Sequence, residues 1–258
     1  MGADTSPNRQ SEKITIMEWN IRHGGSTGRL SGIIDSIRHH DPDILVLTEF
    51  RKNSLEPELR SALDKMGYVY QIASDIPERV NGIFVASKVN ALLEPDPIAM
   101  HRLLPIYFPS LDLHLLGTHI PGSGDKWDKR ECWDRVLDYA SRRLDQQVVI
   151  IGDFNTGLPE DAEGTPFALP EKMRELAKIG YIDAWRAVHG AKREYTWWST
   201  ARNGFRLDYA YLSPSLASQL LDARHSHRER LEGFSDHSSI TVVIGATRAT
   251  GKAAVTNY

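Results

Sequence analysis

The spacing of apolar positions changes along the chain, and each change marks an element. Between residues 13 and 19, Ile14 and Ile16 alternate with Thr15 and Met17, which predicts a strand. Leu30, Ile33, Ile34 and Ile37 then recur at helical spacing and close on His39 and His40, basic residues suited to a helix C-terminus. Residues 43–47, introduced by Pro42, read as a second buried strand, and residues 56–66 as a helix. Strands are expected over residues 68–73 and 82–87. From residue 91 to 119, short apolar segments are broken by Pro95, Pro97, Pro105 and Pro109. That spacing predicts antiparallel strands with edges or loops at the prolines, the last strand covering 111–118.

Trp133, Val136, Leu137, Ala140 and Leu144 share one helical face, with Lys126, Lys129, Arg130, Arg142 and Arg143 outside it. Residues 148–151 are an unbroken aliphatic run ending at Gly152, the mark of a strand buried on both faces. An acidic loop containing Pro and Gly (157–169) and a short helix (171–178) follow. Phe205, Leu207, Tyr209 and Tyr211 alternate with Arg206, Asp208 and Ala210, which predicts Arg206 and Asp208 on one strand face and the aromatics on the other. A last strand is expected over 240–244. No repeat or linker divides the pattern, so a single domain is expected over 13–245, with 1–12 and 246–258 as loose tails.

Composition narrows the function classes. Of 258 residues, 41% are hydrophobic and 25% charged, enough for a substantial core in an ordinary water-soluble chain. The net charge of -3 supplies no global basic field, so contact with nucleic acid would have to be local. Cys132 is the only cysteine, which excludes an internal disulfide and a thiolate zinc site and favours the cytoplasm. The polar start MGADTSPNRQSEK has no apolar core of a secretory signal, and no stretch approaches a membrane span. A monomer without an obligate protein partner is expected.

The candidate chemistry gathers at predicted strand ends. Asp153 and Asn155 follow the 148–151 run two positions apart, so an extended backbone points both one way and returns Phe154 to the core. A carboxylate beside a carboxamide offers hard oxygen ligands, a base and a donor, as an Mg²⁺-assisted phosphate reaction requires; a plain turn would use the same residue types. Asn20 closes the first strand and Glu49 the second. Glu49 is either a surface acid or Asn20's neighbour on one sheet rim. His119 ends another strand, as an ordinary strand-end histidine or a site residue, and Asp236 and His237 precede the last strand.

The strings WN (19–20), PDILVLTE (42–49), GTH (117–119), GDFN (152–155), RLDY (206–209) and SDH (235–237), in that order, resemble the endonuclease/exonuclease/phosphatase superfamily, the DNase I-like fold. GYIDAWRAVH, YTWWS and RLDYAYLSP are most similar to its exonuclease III branch of apurinic/apyrimidinic endonucleases. The resemblance implies an α/β fold: a four-layer αββα sandwich of two mostly antiparallel sheets packed face to face, with helices outside. It implies Mg²⁺ or Mn²⁺ held by Glu49 with Asn20 and near Asp236. It makes Asp153 the group that orients or deprotonates the attacking water, and Asn155 the one that holds water or a phosphate oxygen. His237 would stabilise the phosphate, with Asp208 setting its tautomer. Trp197, Phe205 and Leu207 would line an apolar pocket braced by Trp198, and Arg22, Lys126, Lys129, Arg202 and Arg206 would meet DNA phosphates.

Three residues depart from that pattern. His119 stands where exonuclease III relatives carry a Tyr and resembles the Thr-His of sphingomyelinase-like branches. Gly122 or Ser123 replaces an expected Asn, and Arg22 replaces an Asp that would serve a second metal. The implied activity is metal-dependent hydrolysis of DNA phosphodiesters, at abasic sites or 3′ ends. The alternatives are the same chemistry on a small phosphoester or lipid headgroup, and a catalytically silent binding domain.

Overall fold

The computed structural model describes residues 12–98, 100–122 and 128–246. The expected tails (apart from Glu12 and Ala246) and Lys126 lie outside these residues. The first half of the chain runs β1 (Glu12–Asn20), α1 (Leu30–His40), β2 (Ile44–Phe50), α2 (Glu56–Lys65), β3 (Tyr70–Ala73), β4 (Gly82–Ser87) and β5 (Leu92–Leu93). Then come β6 (Leu103–Phe108), β7 (Leu113–His119), α3 (Lys129–Ser141), β8 (Gln147–Asp153), α4 (Pro170–Ile179), β9 (Ile182–Asp183) and α5 (Ala184–His189). The chain closes with β10 (Trp197–Trp198), β11 (Gly204–Phe205), β12 (Asp208–Leu212), α6 (Pro214–Ala217), β13 (Leu220–Ser226), α7 (Arg228–Leu231) and β14 (Ser239–Ala246).

Two six-stranded sheets result, ordered β13-β14-β1-β2-β4-β3 and β5-β6-β7-β8-β12-β9, with β10 and β11 as a separate hairpin. Each large sheet has one parallel pair, β1 with β2 and β7 with β8; the remaining pairs are antiparallel. A parallel pair needs a crossover, and the amphipathic α1 and α3 supply them. Asp41 ends α1 in a left-handed conformation, its N–H donating to the Ile37 carbonyl. Asp128 starts α3, accepting from the Arg130 and Glu131 N–H groups.

Strand alternation divides the apolar residues into three layers. Ile14, Ile16, Ile44, Val46, Ile83 and Val85 of one sheet meet Leu104, Ile106, Leu115, Val149, Ile151 and Ala210 of the other. The outer face of the first sheet packs on α1 and α2 through Met17, Trp19, Leu45, Leu47, Ile33, Ile37, Leu59 and Leu63. That of the second packs on α3 and α4 through Val148, Ile150, Tyr209, Trp133, Val136, Met173 and Leu176. The four-layer sandwich is therefore as expected, each buried aliphatic or Phe side chain contributing ~1.5–3 kcal/mol. Among the described residues no helix is long and apolar enough to cross a membrane.

Several local expectations are corrected. Pro105 lies inside β6, opposite Leu116, because β5 ends at Leu93 and nothing there requires its missing N–H. Leu144 lies beyond α3 and is exposed. Arg143 is buried, held by Glu94 and Asp96 over the Tyr139 ring. The 205–211 alternation is not one strand: Phe205 belongs to β11 and Asp208 opens β12, so the period breaks between them.

Candidate active site

The two parallel pairs end at the same rim of the sandwich. Asn20 closes β1, Glu49 lies near the end of β2, His119 closes β7 and Asp153 closes β8. The antiparallel β12 begins there with Asp208, opposite Asp153, and Asp236 and His237 precede β14. Gly152 makes this convergence possible, since a Cβ on it would sit 1.7 Å from the Thr118 carbonyl oxygen of β7.

Asp153 is the hub. Its Oδ2 accepts from Asn20 Nδ2 at 3.0 Å and Asn155 Nδ2 at 3.2 Å, and its Oδ1 accepts from the Asn155 N–H at 2.9 Å. Asn155 takes a left-handed φ of 43°, a conformation asparagine tolerates, and also donates to the Ile120 carbonyl. Burial, aided by the like charge of Asp208, pushes the Asp153 carboxyl up to about 7 against the opposing charge of His237.

His237 is the partner cation. Its Nδ1 lies 3.0 and 3.1 Å from the two Asp208 oxygens, and its Nε2 faces Asp153 Oδ2 at 4.0 Å. Burial favours the neutral ring, but Asp208 and Asp153 overcome it and hold His237 up at about 10, so it is an imidazolium at neutral pH. Asp153, Asp208 and His237 each place a potential ligand atom within 4.8 Å of the others. A protonated imidazole has no lone pair to give, and the Nδ1 of His237 is already held by the Asp208 carboxylate. Trp19 Nε1 donates to the His237 carbonyl at 3.2 Å, Ser235 Oγ accepts from the His237 N–H at 3.2 Å, and Thr196 Oγ1 accepts the Leu207 and Asp208 N–H groups.

Glu49 occupies the open side of the rim. The ladder between β2 and β4 steps from Thr48 opposite Ile83 to Phe50 opposite Gly82, leaving Glu49 as an extra residue with φ 54°. This bulge turns its carboxylate out of the sheet. Glu49, Asp153, Asn155, Asp236 and His237 border a cleft of about 460 Å³, whose apolar wall is Trp197, Phe205, Leu207 and Phe167. Trp197 and Phe167 flank Phe205 with ring centroids at 5.8 and 5.5 Å. Trp198, on the other side of β10, packs beneath Arg230. Asp236 accepts from Trp197 Nε1 at 3.4 Å and lies 3.9 Å from the exposed Arg22.

The remaining expected residues fall elsewhere. His119 does not border the cleft; it is buried behind Asp153, with Nε2 3.9 Å from Asp153 Oδ2. Burial, with the nearby Arg102 and His237 charges, keeps it well below the usual imidazole range and therefore neutral. Lys129, at the start of α3, donates to the Asn155 carbonyl at 2.5 Å, and burial lowers its ammonium to about 8 against the pull of Asp153. Arg202 is exposed at the tip connecting β10 and β11. Arg206 is a correction: it is fully buried, bridging Asp161 and Asp183 and lying 4.2 Å from the Tyr209 ring centre, so it cannot meet a phosphate. It lies outside β12, which begins at Asp208, so the expected shared strand face does not form.

Three participants were not anticipated. Glu18 is fully buried, two residues before Asn20 on the inter-sheet face, where it accepts from Thr48 Oγ1 at 2.8 Å. Burial, then the charges of Asp208 and Asp153, hold its carboxyl well above the ordinary range. A polar Glu in an alternating strand was its only signal. Phe167 came from a loop without periodicity, and His23, whose N–H and Nδ1 both face Glu49 Oε2, from a Gly-rich turn.

The strand ends thus gather Asp153, Asp208 and His237 beside the accessible carboxylate of Glu49, an arrangement that a phosphoester hydrolase can use. The chain belongs to the Endonuclease/Exonuclease/phosphatase family, whose profile matches residues 17–237. It is 25% identical to the DNA repair nuclease APEX1 of Danio rerio, over 93% of this chain and 85% of that protein. It is 24% identical to an exodeoxyribonuclease of Bacillus subtilis, over 90% of this chain and 99% of that one. Its fold is similar to an AP endonuclease from Archaeoglobus fulgidus (TM-score 0.75, 22% identity, 90% and 99% of the two chains). It is also similar to a 3′ phosphatase from Neisseria bound to a product DNA hairpin (TM-score 0.73, 21% identity, 89% and 98%).

Proposed function

We propose that this protein is a divalent-metal-dependent nuclease that hydrolyses DNA phosphodiesters, with abasic duplex as its preferred substrate. The observation that carries the reading is the relay Asp208–His237–Asp153 at the edge of an aromatic-walled cleft. Glu49 and Asp236, which border the same cleft, would hold Mg²⁺ or Mn²⁺, with Asn20 behind them as a further oxygen donor once its Oδ1 gives up the Arg22 N–H. The donor set fits, being hard oxygens on an accessible rim with room for water and phosphate. Bound there, the ion supplies Lewis-acid stabilisation of phosphate charge.

The chain's own residues account for the other steps. Asp153, once ionised, takes a proton from a water whose oxygen bonds to phosphorus as the bond to the leaving ester oxygen breaks. Asn155, whose Nδ2 donates to Ile120 and Asp153, offers its Oδ1 to that water, and it would reach a phosphate oxygen only by releasing one of those bonds. His237 directs its charged Nε2–H at the phosphoryl oxygens, and Asp208 keeps that ring protonated and oriented. Trp197, Phe205, Leu207 and Phe167 offer an apolar wall to a base-less deoxyribose, while Arg22 and Lys129 supply local positive charge.

The test is a cleavage screen on abasic duplex, nicked duplex, RNA, sphingomyelin and a small aryl phosphodiester, with Mg²⁺ or Mn²⁺ and with excess EDTA. Cleavage of abasic duplex that EDTA abolishes is the expected result. Hydrolysis of sphingomyelin or the small diester with all nucleic acids untouched would replace this reading by the second one. That second reading draws on His119, which stands behind the base where a Tyr was expected.

A further inference from the structure

The turn after β1 is strained for a purpose the relay does not explain. Arg22, His23, Gly24 and Gly25 have successive φ values of 50°, 60°, 72° and 80°. Glycine takes such values freely, but each non-glycine residue pays ~1–2 kcal/mol. The Gly25 N–H donates to the Ile21 carbonyl at 3.2 Å, and Arg29 Nη2 to the Arg22 carbonyl at 2.8 Å, which locks the turn. Its product is the placement of His23 on Glu49: the His23 N–H donates to Oε2 at 2.9 Å, and His23 Nδ1 lies 2.7 Å from the same oxygen.

The surroundings of that nitrogen are contradictory. Arg51 Nη2 stands 2.8 Å from Nδ1, and Asn81 Oδ1 stands 3.3 Å from it. One ring nitrogen cannot accept from a guanidinium and donate to two oxygens at once. If Nδ1 is unprotonated to receive Arg51, its lone pair also faces the Glu49 carboxylate. A proton on Nδ1 would serve Glu49 but would then meet the Arg51 donor head-on, whereas a metal ion against both ligand atoms fits their spacing, since cis ligands on an octahedral ion with ~2.1 Å bonds are ~3 Å apart. Arg51 keeps a partner if it yields Nδ1, since its Nε bonds Asn81 Oδ1 at 2.5 Å.

We infer that His23 is a further ligand of the Glu49 metal site through Nδ1, and that this nitrogen shifts the site's preference from Mg²⁺ towards transition ions such as Mn²⁺. The inference rests on the divalent-metal reading of Glu49. Imidazole nitrogen adds little to the binding of a hard ion but favours first-row transition metals. It also gives this rim a fourth donor in a sequence where Arg22 displaces an expected carboxylate. The ring is half-exposed on the turn, so the cation reaches it without opening the fold.

The experiment is Mn²⁺ binding followed by electron paramagnetic resonance, with electron spin echo detection of nitrogen bonded to the ion. It compares the full chain with His23→Asn, His23→Gly and Glu49→Gln. Asn and Gly both accept a left-handed backbone, so these variants retain the turn. Directly coordinated ¹⁴N should be seen in the native protein and be lost in both His23 variants. Mn²⁺ affinity should fall by about tenfold or more, the scale seen even for partners of ligands, and Mg²⁺ affinity by less. Native protein without the nitrogen signal, or His23 variants that retain both signal and affinity, would overturn the inference and leave the Glu49 site standing. Unchanged Mn²⁺ binding by Glu49→Gln would overturn the metal reading itself.

Discussion

β1–α1–β2 and β7–α3–β8 are the same device used twice: two parallel strands, a helix crossing outside, and polar residues at the strand ends. They deliver opposite environments. The first pair ends in Glu49, its side chain 18% exposed and turned outward by a bulge, beside the open turn bearing Arg22 and His23. The second ends in His119 and Asp153, side chains only 4% and 1% exposed. A carboxylate turned into the open cleft is within reach of cations, whereas a buried one acquires the raised proton affinity a base needs near neutral pH. The division of labour follows from depth.

The comparison breaks most severely at the buried side. Asp208→Asn should lower turnover by about 10² to 10⁴, the range for acid–base and charge-stabilising groups. Activity should rise as Asp153 loses its proton near pH 7 and fall as His237 loses its own towards about 10. Removing the Asp208 charge lowers both proton affinities, so both limbs of the pH profile should move to lower pH. A profile that keeps its limbs in Asp208→Asn would make Asp208 a mere turn residue.

At the exposed side the loss should be recoverable. Glu49→Gln is expected to need about 10- to 100-fold more metal for half-maximal activity, while turnover at saturating metal stays nearer native than in Asp208→Asn. A metal titration separates these outcomes. A smaller effect is expected on the cleft wall. Phe205→Ala should reduce the preference for abasic over intact duplex by about tenfold, the scale of one apolar contact, with a smaller drop in unfolding midpoint than a fully buried ring would give because this one is only partly buried. The smallest belongs to Arg22→Gln, which should weaken DNA binding a few-fold and reduce the salt slope by about one counterion.

What the sequence reveals divides along the same line. Strand ends and the oxygen-rich residues on them are legible because they are written as local periodicity, whereas the layering is implied by the family resemblance of the six short strings. The Arg206 ion pairs are not, because Asp161 and Asp183 come from separate segments and only tertiary packing brings them to one guanidinium. His119 reads as a rim residue, but its ring turns behind Asp153, which depends on Arg102 and the adjoining strand. Glu18 looks like any polar residue in an alternating strand until the second sheet covers it. Phe167 and His23 lie in segments with no hydrophobic period, so nothing local marks which way their side chains point.

The bulge at Glu49 has a genetic consequence. Thr48 and Phe50 pair with Ile83 and Gly82, which are consecutive, so the ladder would run without interruption if residue 49 were absent. Loss of a single codon there would erase the accessible carboxylate while leaving every neighbouring pair in register. A chain that lost residue 49 should therefore keep this fold and its pairing while needing more metal for the same turnover.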